Sequence, residues 1–202
     1  CFPNSIWNGG RVVLGGATKE EIEFTVAEFN RRGIPIRYTF TNTLLEKEHL
    51  YDTFCNICLK AANNGMNEVI INSPILEAYI RKVYPNYKLI SSTTKCLADV
   101  EKLEEELKKD YQLIVLDNSF NNAEKLWKLP QKARYEVVAN SYCRDNCPKR
   151  VNHYREISQA QLEFRSSHFE PCPYIKLSKE EQMKKRGFIT REQIYGPYKE
   201  AG

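Results

Sequence analysis

Several features that identify common protein classes are missing from this chain. No apolar stretch approaches the roughly 20 residues that span a bilayer, and no basic region with an apolar core opens it as a signal peptide would. The sequence contains no GxSxG, HExxH or P-loop motif, and no glycine-rich dinucleotide fingerprint follows a predicted strand. These absences disfavour membrane partners, Rossmann-type enzymes and hydrolases with those signatures.

The charge is nearly balanced, with a net charge of +4. Residues 1–142 carry 18 basic and 18 acidic side chains, whereas residues 143–202 carry 12 and 8. The basic excess therefore lies in the last third, where it favours an anionic substrate. A solvated basic surface is the alternative, and the excess permits nucleic-acid binding without demonstrating it.

The seven cysteines cannot all pair internally, because their number is odd. They are also too sparse in 202 residues for a secreted disulfide scaffold. We therefore expect a cytoplasmic protein in which some thiols are ligands and others are core.

Predicted strands and amphipathic helices alternate through most of the chain. Thr18 with Glu21 forms a capping box, and Ser73 with Pro74 opens another helix. Further helices are predicted at 46–64, from Cys96 through Leu107, and at 121–128. Strands are predicted at 34–42, 68–72, 88–93, 112–117 and 134–140.

This alternation predicts an α/β fold with a parallel sheet, either doubly wound or a (β/α) barrel. The polar residues that end the strands favour the barrel, because all strand ends converge on one mouth; they are Asn42, Asn72, Ser92, Asp117 and Asn140. Helix capping is the alternative, preferred for Ser73 and Asn118.

With five or six strands visible rather than eight, we expect a partial or truncated TIM-like barrel, formed by a single domain over 1–202. Its segment 143–202 would be metal-binding and irregular, with no clear period over 156–176.

Three cysteines of that segment have the setting of metal ligands. Cys143 and Cys147 lie in a polar turn directly after a strand, and Cys172 lies between two prolines. With Cys1 as a possible fourth ligand they could form a four-thiolate site for zinc or an iron–sulfur cluster, which spacing does not distinguish.

The other three cysteines are interpreted as structural rather than functional. Cys55 and Cys58 lie within a helix, where core packing is preferred over redox or zinc chemistry. Cys96, at the predicted start of a helix, is interpreted as structural. Near the cysteine turn, His153 is a candidate ligand or acid–base group, with a surface histidine as the alternative.

Five strand sequences follow one another in a definite order and run into Cys143 and Cys147: IRYTFTN at 36–42, NEVIIN at 67–72, LISST at 89–93, LIVLD at 113–117 and EVVAN at 136–140. This order resembles the collagenase-like peptidase family U32 and its oxygen-independent hydroxylase relatives. The similarity covers about residues 5–202.

The resemblance implies a TIM-like barrel that holds a [4Fe–4S] cluster and hydroxylates an RNA base or an aromatic small molecule. The implied ligands are Cys143, Cys147, Cys172 and Cys1. Arg150 and His153 would orient an anionic substrate or oxygen donor beside the cluster. The strand-end residues Asn42, Asn72, Ser92, Asp117 and Asn140 would line the pocket. A peptidase of the same family and a non-catalytic structural-zinc domain are the alternatives.

Overall fold

The computed structural model describes residues 3–10, 15–121, 123–141, 143, 147–170, 176–185 and 187–201. The predicted ligands Cys1 and Cys172 lie outside these residues.

The described strands form one five-stranded parallel sheet whose order follows the chain, β1-β2-β3-β4-β5. Each strand begins where the sequence predicts it to within three residues but is shorter, because its polar end belongs to a loop or cap. The strands are β1 Arg37–Phe40, β2 Glu68–Ile71, β3 Lys88–Ser91, β4 Leu113–Val115 and β5 Tyr135–Glu136.

The α-helices lie between and after these strands. They are α1 Lys19–Arg31, α2 Thr53–Ala61, α3 Pro74–Val83, α4 Val100–Leu107, α5 Ala123–Trp127, α6 Arg150–Leu162, α7 Lys179–Lys185, α8 Arg191–Gln193 and α9 Lys199–Ala201. Short 3-10 helices occur at Lys47–Tyr51, Thr93–Lys95, Asn118–Phe120 and Lys132–Arg134, and the segment Ile194–Tyr198 is kinked at Gly196, whose backbone dihedrals are not helical.

The predicted helix starts at Thr18 and Ser73 are confirmed. Thr18 and Glu21 form a reciprocal capping box, and the Ser73 side chain accepts a hydrogen bond from the Leu76 amide, with Pro74 in the first turn. These starts were predictable because capping is a contact between residues three apart.

Three other predicted elements are wrong in their bounds. The predicted helix 46–64 is divided, because the Asp52 carboxylate accepts from the Cys55 amide and opens α2 there. Cys96 does not begin a helix: it adopts a left-handed conformation with φ of 53°, and α4 begins at Val100. Predicted strand 134–140 ends after Glu136, and Asn140 instead forms an antiparallel bridge with Phe188.

The predicted irregular stretch 156–176 contains regular structure, since α6 continues to Leu162. The helix buries polar side chains, among them Arg150, Ser158 and Gln161. Apolar periodicity, on which sequence reasoning depends, is therefore weak in a helix that is nonetheless packed.

The core lies between the helices and one face of the sheet. A parallel sheet in sequential order with right-handed crossovers carries all its crossover helices on the same side. Alternate strand residues accordingly contribute to the apolar core, namely Tyr38, Phe40, Val69, Ile71, Leu89, Ile114 and Leu116. The residues between them face the other way.

The opposite face of the sheet is concave. Arg37 of β1 contacts Glu68 of the neighbouring strand at 2.7 Å and Glu136 of β5 at 2.6 Å. In a flat sheet β1 and β5 would be four spacings apart, about 19 Å. An arginine cannot bridge that distance, so the sheet curls until its first and last strands approach each other.

The α/β class is thus confirmed, whereas closure into a TIM barrel is not. The five described strands form a curled but open sheet. Among the described helices, none is long and apolar enough to cross a bilayer.

Segment 3–10 packs against the end of β1. The Trp7 carbonyl accepts from the Asn42 amide at 2.9 Å, and Trp7 is fully buried. Gly9 is required at this approach, because an added Cβ would lie 2.5 Å from the Asn42 Cα. The segment is thereby held beside the concave face.

Replacing Arg37 with methionine tests the bridge that accompanies the curl. It leaves Glu68 and Glu136 without the cation that neutralises them, so the free energy of unfolding in urea should fall by about 1–3 kcal/mol. The matched control is Arg31→Met, which breaks an exposed helical pair with Glu28 and should cost no more than about 0.5 kcal/mol. Equal losses in the two variants would contradict the bridging role.

Candidate functional site

A cavity of about 590 Å³ opens on the concave face toward the carboxyl edge of the sheet. Because the strands are parallel, all five end at this edge, where α/β proteins place their sites. The lining is rich in hydroxyl and amide groups, and its polar residues include Asn8, Thr39, Thr41, Ser92, Thr93, Thr94, Asn118, Asn140 and Ser141. Apolar walls come from Ile70, Val115, Val138 and Tyr154.

Of the five predicted pocket residues, two line this cavity, Ser92 and Asn140. Asn72 lines a neighbouring cavity and donates to the Thr94 hydroxyl at 2.9 Å. The other two, Asn42 and Asp117, line neither.

Asn42 is fully buried and acts as a connector. Its Nδ2 donates to the Ile6 carbonyl at 2.7 Å and to the Ser158 carbonyl at 3.1 Å. It thus joins the end of β1 to segment 3–10 and to α6, which positions the lining without forming it.

Asp117 and Arg150 form a buried ion pair above the end of β4. Their side chains are only 3% and 6% exposed, and the second Asp117 oxygen accepts from the Ser119 amide at 2.8 Å. The Arg150 Nε also donates to the Cys143 sulfur at 3.3 Å. One arginine therefore connects the strand end, the first turn of α6 and the predicted ligand.

The two described cysteines of the turn lie together. The Cys147 thiol is near enough to Cys143 for the two to interact electrostatically. Burial raises the pKa of Cys143; Arg150 opposes this rise and the neighbouring Cys147 adds to it. Burial alone would lower the pKa of Arg150, but its bonds to Asp117 and Cys143 raise it above the ordinary value. Arg150 is therefore a permanent cation beside a shielded sulfur.

The backbone of Cys143 is held from two directions. Its carbonyl accepts from the Ser141 hydroxyl at 3.2 Å and from the Gly187 amide at 3.0 Å. Ser141 in turn accepts from the Asn118 side chain at 2.5 Å. Asn118, predicted as a helix cap, is thus part of the support for the cysteine turn, and Asp117 provides the cap instead.

Two residues that sequence reasoning did not assign to the site lie near this turn. Cys96 and Tyr154 both interact electrostatically with Asp117, Arg150 and Cys143. Burial raises the pKa of Cys96 to about 11 and that of Tyr154 to about 12. Both groups are therefore neutral at pH 7. Cys55 and Cys58 are fully buried in the core, as predicted.

The signal for two missed lining residues, in β1 and directly after it, was present in the sequence. Thr39 and Thr41 alternate with the core residues Tyr38 and Phe40. The period of two assigns the threonines to the face away from the helices, but nothing local indicates that this face encloses a cavity.

His153 lies on α6 outside the lining of both cavities. Its ring packs edge-on against Phe169 at 5.1 Å, and its Nε2 is buried without a hydrogen-bond partner among the described residues. The role of His153 as ligand or acid–base group stays a prediction.

Within the described ranges, no three histidine, cysteine or acidic side chains come together as a metal site. Cys143 and Cys147 are the two predicted ligands that fall inside those ranges. Cys172 and Cys1 fall outside them, so the complete four-thiolate set stays a prediction.

Comparison with known proteins supports the fold. No family model matches the chain, and no curated protein matches it in sequence. The solved structure of the U32 peptidase Mk0906 is similar, with a TM-score of 0.62 and 16% identity over 94% of this chain and 78% of that one. At this identity the similarity shows a shared fold. The shared fold agrees with the resemblance to the U32 family that the strand sequences indicated.

Replacing Asp117 with asparagine should destabilise the protein by about 3–5 kcal/mol, because a buried arginine loses its counter-charge. Urea unfolding measures the change. Asp99→Asn is the matched control, since Asp99 pairs with an exposed lysine and its loss should be nearly neutral.

If Asp117→Asn fails to fold, the double variant Asp117→Leu/Arg150→Met provides the test. It should be more stable than the single variant, because no uncompensated charge stays in the interior. A single variant as stable as the wild-type protein would contradict the structural role of the pair.

Proposed function

We propose that this chain, which shares the fold of a U32 peptidase structure, is an iron–sulfur protein that catalyses oxygen-independent hydroxylation or a related modification. The substrate would be an RNA base or an aromatic small molecule, bound in the cavity at the carboxyl edge. The observation that carries the proposal is the Cys143–Cys147 thiol pair next to that cavity, with Arg150 donating to one sulfur.

The donor chemistry of the described residues fits such a group. Two adjacent thiols on a polar turn select soft metals, namely zinc or an iron–sulfur cluster. A charged N–H donor to a ligand sulfur is a device that raises a cluster's reduction potential. Cys172 and Cys1 are proposed as the remaining ligands. When bound, the cluster would supply one-electron transfer.

The residues that line the cavity would bind the substrate. Cys143 itself lines the cavity, so a bound substrate would lie beside the ligand sulfur. The Thr41 hydroxyl is buried, without a partner among the described residues, and belongs to the same lining. An unsatisfied buried hydroxyl is costly, so a polar group of the substrate is its natural partner. Tyr154 would exclude water from that side.

Arg150 is better suited to tuning than to substrate binding. Its guanidinium is already engaged by Asp117 and Cys143 and is almost inaccessible. We therefore propose that its catalytic contribution, predicted from the sequence as substrate orientation, is to hold and polarise the Cys143 sulfur.

Metal content tests the proposed cofactor. Protein purified without oxygen should be brown and contain about four irons per chain, and Cys143→Ala and Cys147→Ala should each lose most of that iron. Cys58→Ala, which alters a core thiol, should keep it.

A colourless protein with one zinc, lost with the fold on chelation, would support the structural-zinc alternative instead. Iron that persists in the Cys143→Ala/Cys147→Ala double variant would refute the assignment of the ligands.

Peptide hydrolysis is the second candidate, favoured by the name of the structural neighbour, a U32 peptidase. In the described part of the chain, however, no histidine bonds to a serine, threonine or cysteine hydroxyl or thiol. More features of this site therefore support the proposed hydroxylase role than support peptide hydrolysis.

Activity distinguishes the two candidates. Cells that produce the wild-type protein should accumulate a hydroxylated nucleoside or aromatic metabolite that is absent with Cys143→Ala, as measured by mass spectrometry. Casein cleavage by the purified protein that survives Cys143→Ala/Cys147→Ala would favour hydrolysis away from the thiols.

A further inference from the structure

A second cavity of about 400 Å³ lies between α3, α4 and α6, beside the first. The two cavities share Thr94 and Tyr154 in their linings. The second differs in its charge, because three cations line it: Lys95, Lys109 and Arg155.

We propose that this second cavity binds the oxyanion group, a phosphate or a carboxylate, of a small molecule. Nothing in the family resemblance or in the sequence motifs assigned these three cations to a site.

Lys95 is the buried anchor of the cavity. Its side chain is 12% exposed, and its ammonium donates to Glu106 at 2.5 Å and to the Tyr111 hydroxyl at 2.9 Å. An ammonium has three N–H groups, so these bonds leave one for a ligand in the cavity that Lys95 lines.

The two carboxylates of the lining are already neutralised. Glu106 is 4% exposed and accepts from Ser91, Lys95 and Lys109, all at 2.5 to 2.6 Å. Both Glu106 oxygens therefore accept hydrogen bonds from the protein. A ligand in the cavity would contact the cations rather than this carboxylate.

Glu77 is occupied in the same way. One oxygen accepts from Arg81 at 3.0 Å and the other from the Tyr111 hydroxyl. With Glu106 it contributes two negative charges against three positive ones, so the lining as a whole carries a charge of +1.

Arg155 is the cation available to a ligand. It is exposed on α6, and no carboxylate of the described residues pairs with it. A planar guanidinium recognises phosphate and carboxylate groups through paired hydrogen bonds. Lys109 lines the same cavity, so we propose that both cations contact the oxyanion.

A metal cation is the competing occupant, since Glu77 and Glu106 both line the space. Three positive side chains would repel it, and neither carboxylate has an oxygen without a protein donor. An apolar ligand would remove water from these charges without replacing its hydrogen bonds, which is unfavourable.

Because Thr94 and Tyr154 line both cavities, one ligand could occupy both. This part of the inference rests on the proposed function. A substrate with its reactive part beside Cys143 could extend past Thr94 and Tyr154 and place an anionic end at Arg155. The sequence assigned that anchoring to Arg150 and His153, whereas the second cavity offers Arg155, which pairs with no carboxylate of the described residues.

Titration with inorganic phosphate at constant ionic strength, followed by calorimetry, tests the site. Wild-type protein should saturate in the millimolar range. Arg155→Met and Lys109→Met should each weaken binding about tenfold, as expected for the loss of one charged hydrogen bond. Lys108→Met is the matched control, because Lys108 is the neighbouring residue and pairs with the exposed Glu105; its affinity should equal that of the wild type.

A parallel titration with acetate distinguishes a carboxylate from a phosphate ligand, because the oxyanion that the cavity recognises should bind with the higher affinity. Phosphate binding without saturation in wild-type protein, or equal weakening in the Lys108 and Lys109 variants, would overturn the proposal. Cys143→Ala should bind phosphate as the wild type does, so failure of the iron–sulfur assignment leaves this result unchanged.

Discussion

The site depends on the ion pair between Asp117 and Arg150. Neither charge is tolerable in the interior without the other, so the end of β4 and the first turn of α6 must meet where the two side chains touch. Arg150 then extends this constraint to the Cys143 sulfur. Helix α6 provides a wall for both cavities through Tyr154. One electrostatic contact therefore positions the thiol turn and the wall together.

The curl of the sheet supplies the space. Sequential strand order places the helices on one side, and the contacts of Arg37 with Glu68 and Glu136 hold the other side concave. The sheet face that would be a closed interior in a barrel becomes a polar cavity open at the strand ends. The second cavity lies beside the first, where residues of α3, α4 and α6 line it together.

How far the sequence predicted the fold depended on the range of the interaction concerned. The caps at Thr18 and Ser73 and the existence of five strands followed from residues a few positions apart. The turn at Cys96 and the end of the last strand did not. Cys96 is held in a left-handed conformation that its own sequence does not require, and Asn140 pairs with Phe188, nearly fifty residues away.

The amino-acid order was sufficient for the alternation of elements, the polar strand ends and the nearness of Cys143 to Cys147, because all of these are properties of short segments. It could not indicate that Asn42 is a connector or that Arg150 is locked to Asp117. Nor could it show that Lys95, Lys109 and Arg155 line one cavity. Those facts depend on where separate helices cross the sheet, and crossings are set by packing between residues far apart in the chain.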